Sequence, residues 1–286
     1  MLLREGAAAL QAAGIGPSHA EAEWLLSRLL GVRPLELYLL EQALPAQIVD
    51  TFQLQVAARA AGWPLQYLIG EAAFYGRIFE VGPGVFIPRP ETETVVEAAL
   101  AALRGQPGRG AWPVGAPNRA CRVLEVGVGS GCIAVTVACE LPACLVVGVE
   151  VSWVALQAAR RNTRRHRVDD RVALVQGSWL DALRGMWDAV ISNPPYVPTD
   201  QVERLPLDVR QEPAASLDGG PAGRQALRHL LAAAPRVLRS GGILAMECGE
   251  EQVGWLLDEA QRGPFAESRP LQDVAEHPRG VLLTRA

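Results

Sequence analysis

Two short stretches hold most of the chemistry this chain is equipped for. In Leu124-Glu125-Val126-Gly127-Val128-Gly129-Ser130-Gly131-Cys132, glycines at alternate positions allow a sharp turn and let a ligand approach where a Cβ would collide. Further on, Gly148-Val149-Glu150-Val151-Ser152 offers Glu150, a carboxylate able to accept hydrogen bonds from both hydroxyls of a ribose. Together they imply a nucleoside. A dinucleotide such as NAD prefers G-x-G-x-x-G, whereas this loop reads G-x-G-x-G with Cys132 where the last glycine would fall. S-adenosylmethionine, a nucleoside without a pyrophosphate, suits it better; a bare strand-to-helix turn is the other reading. Glu125 either orients the turn or simply ends a strand. Trp179, in Gly177-Ser178-Trp179-Leu180, either stacks on adenine or fills the core.

The second stretch is Asn193-Pro194-Pro195-Tyr196, which follows the apolar run DAVIS. An asparagine amide presents one acceptor and two donors in a plane, which matches a planar amide or amidine nitrogen. The prolines lack N–H groups and fix φ, so the Pro194 carbonyl can be held toward that same nitrogen. Tyr196 can pack on its flat face and keep water away. Such a nitrogen is a poor nucleophile, so positioning against an electrophilic methyl group, rather than a strong base, is the help it needs. A Pro-Pro turn that merely ends a strand is the plain alternative.

Composition removes other chemistries. All 27 basic residues are arginine, so a P-loop lysine, a Schiff base and a lysine base are all excluded. The histidines (His19, His166, His229, His277) and the cysteines (Cys121, Cys132, Cys139, Cys144, Cys248) show no metal-ligand spacing, so no metal site is expected and the thiols read as reduced core residues. A net charge of −4 gives no footprint for duplex nucleic acid or a membrane surface, and no long uninterrupted apolar run appears. With Arg4 and Glu5 where a secretory signal would be apolar, a cytoplasmic location is expected and an organellar address is left open. The arginines at 160, 161, 164, 165 and 167 read as a solvated helix end rather than a contact for RNA or a protein partner.

The elements that must position these groups follow from periodicity. Residues 1–68 carry helical spacing and read as a small helical bundle, with Ser18 as an N-cap and Glu21 completing a capping box. Residues 69–90, punctuated by Gly76 and Gly82-Pro83-Gly84, read as a β-hairpin linker. Residues 91–286 open on a helix from Thr92 to Arg104 and a Gly- and Pro-rich loop, GQPGRGAWPVGAPN. Five short apolar runs (CRVLEV, CLVVGVE, RVALVQ, DAVIS, GILAMEC) then alternate with helices. That alternation implies an α/β doubly wound parallel sheet with its ligand beyond the carboxyl ends of the strands.

The motif Asn193-Pro194-Pro195-Tyr196 serves exocyclic adenine, exocyclic guanine and glutamine side chains alike. The segment Pro64-Leu65-Gln66-Tyr67-Leu68-Ile69-Gly70, then Phe74-Tyr75-Gly76 and Phe86-Ile87-Pro88-Arg89-Pro90-Glu91-Thr92-Glu93, with Glu212-Pro213 and Leu217-Asp218-Gly219-Gly220, closely resembles the HemK-like release-factor glutamine methyltransferases. The resemblance implies a helical N-terminal substrate-recognition domain, a hairpin linker and a class I methyltransferase domain with a Rossmann-like mixed sheet. It further implies action on the glutamine of the Gly-Gly-Gln tripeptide in class I peptide-chain release factors, with S-adenosylmethionine as donor and S-adenosylhomocysteine as product; a monomer is expected. By position, Gly127, Val128, Gly129, Ser130, Gly131, Glu150, Trp179 and Asn193 would hold the donor, and Asn193, Pro194, Pro195 and Tyr196 the glutamine. Arg89 would either touch the partner, pair with Glu91 or Glu93, or stiffen its loop. Departures from the family pattern are Glu150 for the commoner Asp, Ser178 before the tryptophan, and Ala222 and Arg224 after Gly219-Gly220. A nucleic-acid base as acceptor, and a nucleoside-binding module without catalysis, are the competing readings.

Overall fold

A computed structural model describes residues 1–40, 43–105, 121–181 and 183–286; the expected Gly- and Pro-rich loop lies outside these from residue 106 onward. The chain forms two compact units: Met1–Glu71 with Val81–Pro83 and Leu205–Gln211, and Ala72–Glu80 with Gly84–Arg204 and Glu212–Ala286. The hairpin thus groups with the second unit, and a short segment distant in sequence joins the first.

The first unit packs α1 (Leu2–Ala12), α2 (Ser18–Leu30), α3 (Ala46–Ala60) and α4 (Leu65–Ile69) around Leu10, Leu25, Leu26, Phe52 and Val56. The capping box expected at Ser18 is corrected: Pro17 is the N-cap and Ser18 is already helical. Glu21 is engaged elsewhere, taking the Arg59 guanidinium at 2.6 Å (Nε) and 3.2 Å (Nη2). Arg59 also reaches Asp208 at 3.3 Å, which ties the 205–211 segment to α3. Leaving the buried Arg59 without its carboxylate would cost about 3–5 kcal/mol, more than the roughly 1 kcal/mol a cap returns.

The second unit begins with a hairpin of β1 (Glu71–Phe74) and β2 (Arg77–Glu80), turned by Tyr75 and Gly76 at φ 50° and 68°. Two central residues of positive φ match the right-handed twist of the strands. Then come α5 (Pro90–Arg104), β3 (Cys121–Val126), α6 (Cys132–Glu140), β4 (Cys144–Glu150), α7 (Trp153–Arg165), β5 (Val172–Gln176) and β6 (Trp187–Ser192). They are followed by α8 (Thr199–Val202), α9 (Gln225–Val237), β7 (Leu238–Glu247), α10 (Glu250–Gln261), β8 (Phe265–Gln272) and β9 (Pro278–Arg285).

The sheet runs β5-β4-β3-β6-β7-β9-β8. Its first five strands are parallel, and β9 lies antiparallel to both β7 and β8. The sheet is therefore mixed. Alternation along the strands divides the core: Val123, Ala189, Ile191, Ile243 and Ala245 face α5 and α6, while Leu124, Val190 and Leu244 face α9 and α10. The register sets Val126 beside Val149 and beside Ser192. The chain consequently leaves β3, β4 and β6 at one level, delivering Gly127, Glu150 and Asn193 to one edge where the strand order reverses.

Candidate active site

At that edge lies a cavity of about 330 Å³ within the second unit, lined by Gly127 to Ser130, Glu150, Trp179, Asn193, Pro194 and Pro195, with Phe86, Thr92 and Pro213 opposite. The three motif glycines have distinct duties. Gly127 (φ 77°) and Gly129 (φ 56°) occupy the left-handed region, and an added Cβ would find no atom closer than 4.0 Å, so it would project into the cavity itself. Gly131 (φ 82°) instead lets the start of α6 press on α7: a Cβ there would stand 3.1 Å from the Cβ of Ala159.

Glu150 holds this loop from the next strand. One carboxylate oxygen accepts from the Gly129 N–H at 3.0 Å and the other from the Ser152 N–H at 2.9 Å. Each oxygen keeps a lone pair for a ligand hydroxyl. Glu125 is buried and orients the turn by accepting from the Ala134 N–H at 2.9 Å. Burial raises its carboxyl well above the usual range, and its Oε1 has no hydrogen-bond partner among the described residues. A buried polar atom left in that state is suited to a ligand's polar group. Trp179, at φ 51° and half-buried, borders the cavity with its ring 4.8 Å from that of His229.

The acceptor side is tied together by two residues that the sequence reading did not single out. Asn193 Nδ2 donates to Thr92 Oγ1 at 2.9 Å, and the Tyr196 hydroxyl donates to Glu247 Oε1 at 3.0 Å. The other carboxylate oxygen of Glu247, Oε2, is buried without a hydrogen-bond partner among the described residues. Burial pushes Glu247 up to about 7, with Glu91 adding to the rise and the nearby Thr92 and Tyr196 hydroxyls and Arg279 opposing it. Burial and the Glu247 charge raise the Tyr196 phenol. A carboxylate inside the apolar run GILAMEC was the signal available in the sequence for Glu247, because a charge among core residues needs a partner.

Tyr196 and Arg89 stand behind the lining of this cavity. Arg89 pairs with Glu212 rather than with Glu91 or Glu93, and its guanidinium lies over the Phe86 ring at 5.1 Å. Glu212 also accepts from the Ile87 N–H at 2.8 Å. The pair thus clamps the 86–89 loop to the segment that begins at Pro213, both of which border the cavity. The Leu217-Asp218-Gly219-Gly220 motif backs the other strand end: Val197 N–H donates to the Leu217 carbonyl at 3.0 Å and Gly219 N–H to the Val197 carbonyl at 2.8 Å. The arginines of α7 are exposed, and Arg161 pairs with Glu80 at 2.6 Å. Among the described residues no His, Cys, Asp and Glu cluster is arranged to hold a metal, and no helix is long and apolar enough to cross a membrane.

Known proteins show which family and fold the chain shares. Residues 1–70 match the PrmC N-terminal domain and residues 116–207 the methyltransferase small domain. Among solved structures, a methyltransferase from Pyrococcus furiosus superposes with a TM-score of 0.54 at 20% identity, covering 82% of this chain and 96% of that one. A human methyltransferase 10 domain containing protein gives 0.52 at 15% identity, covering 82% and 97%. These neighbours share the class I methyltransferase fold. Much nearer in sequence is the release factor glutamine methyltransferase of Moorella thermoacetica, 40% identical over 99% of this chain and 97% of its own. That of Geobacter sulfurreducens is 40% identical over 94% and 88%. With identity of that order running through both units and nearly the whole length of each partner, the chain belongs to the release factor glutamine methyltransferase family.

Proposed function

We propose that this protein transfers a methyl group from S-adenosylmethionine to the side-chain amide nitrogen of the glutamine in the Gly-Gly-Gln tripeptide of class I peptide-chain release factors. The observation that carries the reading is the single cavity shared by the Gly127 to Ser130 turn, Glu150 and the Asn193-Pro194 strand end, which brings a nucleoside cradle and an amide-matching group together. S-adenosylmethionine, when bound, supplies a sulfonium methyl that is electrophilic without further activation.

The protein's part is placement. The Gly127 to Gly131 turn, Glu150 and Trp179 hold the donor, with Glu150 on the ribose hydroxyls and Trp179 beside the adenine. Asn193 Oδ1 and the Pro194 carbonyl each accept one amide hydrogen, which turns the nitrogen lone pair toward the methyl. The chemistry the bound donor would supply there is transfer of that methyl to the nitrogen, with the sulfur keeping the electron pair of the broken bond. The nitrogen then loses one proton to solvent, so a strong base is unnecessary. No residue is given a metal to hold.

The test is to incubate the protein with radiolabelled S-adenosylmethionine and a class I release factor, beside a copy whose Gly-Gly-Gln glutamine is alanine. Label in the intact factor alone is the expected outcome. Label entering DNA or ribosomal RNA offered in parallel, with the factor unlabelled, would move the acceptor to a base. Donor binding with no transfer would reduce the protein to a binding module.

A further inference from the structure

The geometry points to Gln252 as a positioning residue that fixes the Asn193-Pro194-Pro195-Tyr196 strand end from behind, by gripping the Tyr196 carbonyl together with the turn at 222–223. The inference rests on the proposed reaction and goes beyond it, because it assigns a role to a residue outside the motif and outside the cavity lining.

Its basis is a fully occupied amide. Gln252 is 6% exposed in the first turn of α10. Its Nε2 donates to the carbonyl oxygen of Tyr196 at 2.9 Å and to those of Ala222 and Gly223, each at 3.1 Å. Its Oε1 accepts from the Gly249 N–H at 2.9 Å. An amide carries hydrogens at one end only, so the three carbonyls require the nitrogen and the N–H requires the oxygen. The orientation of the side chain is therefore determined, and two hydrogens serve three oxygens.

The backbone facing this amide is shaped to reach it. Gly223 lies at φ 65°, and a Cβ there would collide with the Tyr196 carbonyl oxygen and stand 2.5 Å from Gln252 Nε2. Ala222, at φ 55°, also occupies the left-handed region, which is costly for a residue with a Cβ. Such a conformation persists only where the surroundings hold it, and the Ala222 carbonyl is one of the three that Gln252 takes.

Tyr196 is thereby held at both ends, its phenol by Glu247 at the end of β7 at 3.0 Å and its carbonyl by Gln252 at the start of α10. At the other end of the motif, Asn193 follows β6 and donates from Nδ2 to Thr92 Oγ1 at 2.9 Å. The rings of the two prolines between them fix φ, so with both ends pinned little freedom remains to the Pro194 carbonyl. That carbonyl is the proposed acceptor of a substrate amide hydrogen, and groups in such a role must be held within about 0.5 Å.

Two variants of the full chain that keep the length of the side chain test it: Gln252→Met, which removes the donors, and Gln252→Glu, which leaves at most one hydrogen for the three carbonyls. Turnover is expressed per molecule that binds S-adenosylmethionine, so that partial unfolding lowers yield and not the reading. Both variants are expected to lower kcat for release-factor methylation by about tenfold or more, while the donor Kd, measured by calorimetry, and the release-factor KM stay within about threefold. That split marks positioning, since a residue that only supported the fold would not single out kcat. A kcat within about twofold of wild type in either variant, or a loss of donor affinity as large as the loss of kcat, overturns the assignment. If wild-type protein itself leaves the release factor unlabelled, the proposed reaction fails instead, so the two failures are distinguishable.

Discussion

Replacing Gly219 by alanine asks whether the loop after Leu217 is the back wall of the acceptor site. A Cβ at 219 would meet the Pro195 carbonyl oxygen and Tyr196 Cα at 2.7 Å and the Gly223 carbonyl oxygen at 2.8 Å, all of them backbone atoms. Ordinary contact begins at 3.4 Å, so the Pro195–Tyr196 backbone must retreat by the difference, 0.7 Å. It cannot retreat freely, because the hydrogen bonds from Val197 and Gly219 join the two segments on either side. Overpacking of this kind costs about 1–3 kcal/mol. The catalytic effect should exceed the loss of stability, since reacting groups need to be held within about 0.5 Å and a shift of about 1 Å can cost roughly 100-fold. A loss of about 10- to 100-fold in release-factor methylation is therefore expected, with donor affinity within a few-fold because Gly219 does not border the Gly127 to Gly131 turn. Steady-state methylation, calorimetric titration with S-adenosylmethionine and a thermal melt measure the three quantities. Turnover within about twofold of wild type and an unchanged Tm would refute the reasoning, since the clash would then have been absorbed without moving the site.

Asn193→Ala should retain donor binding and lose about 100-fold or more of turnover, as removal of one preorganised transition-state partner does elsewhere; near-normal transfer would take Asn193 out of the mechanism. Trp179→Ala should weaken S-adenosylmethionine by about 1–3 kcal/mol if the indole stacks on adenine, and calorimetry showing equal affinity would leave Trp179 as cavity wall only. Arg59→Met strands the Glu21 carboxylate that the guanidinium covers, so the urea midpoint should fall by the equivalent of about 3 kcal/mol, and adding Glu21→Gln should recover much of it. For pH, Glu247 has its folded value raised from 4.5 to about 7, so the stability it contributes is fully present below about 4.5 and is lost as pH rises through about 7. Glu247→Gln should flatten the fall in Tm between those limits, leaving only the part owed to Glu125, which is shifted in the same direction; an unchanged profile would show that Glu247 titrates normally.

What was legible in the sequence was whatever one local pattern encodes. CRVLEV and CLVVGVE match β3 and β4 residue for residue, because strands covered on both faces are continuous apolar runs. The glycine turn, Glu150 and Asn193 were visible for the same reason, each lying within a few residues of such a strand end. β8 was not legible: FAESRPLQ lies at the sheet edge with much of its length exposed, so it carries charge and a proline where a central strand could not. α10 follows a glycine that stands as its N-cap and has few apolar positions, a weak signal beside the strands. The partners of Arg89 and Glu21 escaped because both are long-range, to Glu212 and Arg59, whereas spacing rules see only neighbours on one element.

The buried carboxylate at 247 shows why function and local rules part company here. An apolar residue at the end of β7 would pack without the desolvation that raises the Glu247 pKa, and the core cluster around Leu244 and Met246 would favour it. The price in stability is greatest at the pH where the carboxylate is ionised, which is also the state in which it best accepts from the Tyr196 hydroxyl. A residue chosen for stability would be neutral at every pH and would leave the Tyr196 hydroxyl without this acceptor. The conflict resolves only if holding that hydroxyl is worth more to the protein than the stability given up, and for that reason Glu247→Gln should gain stability above pH 7 while losing turnover. Were the variant both more stable and fully active, the hold of the carboxylate on Tyr196 would have no part in the reaction.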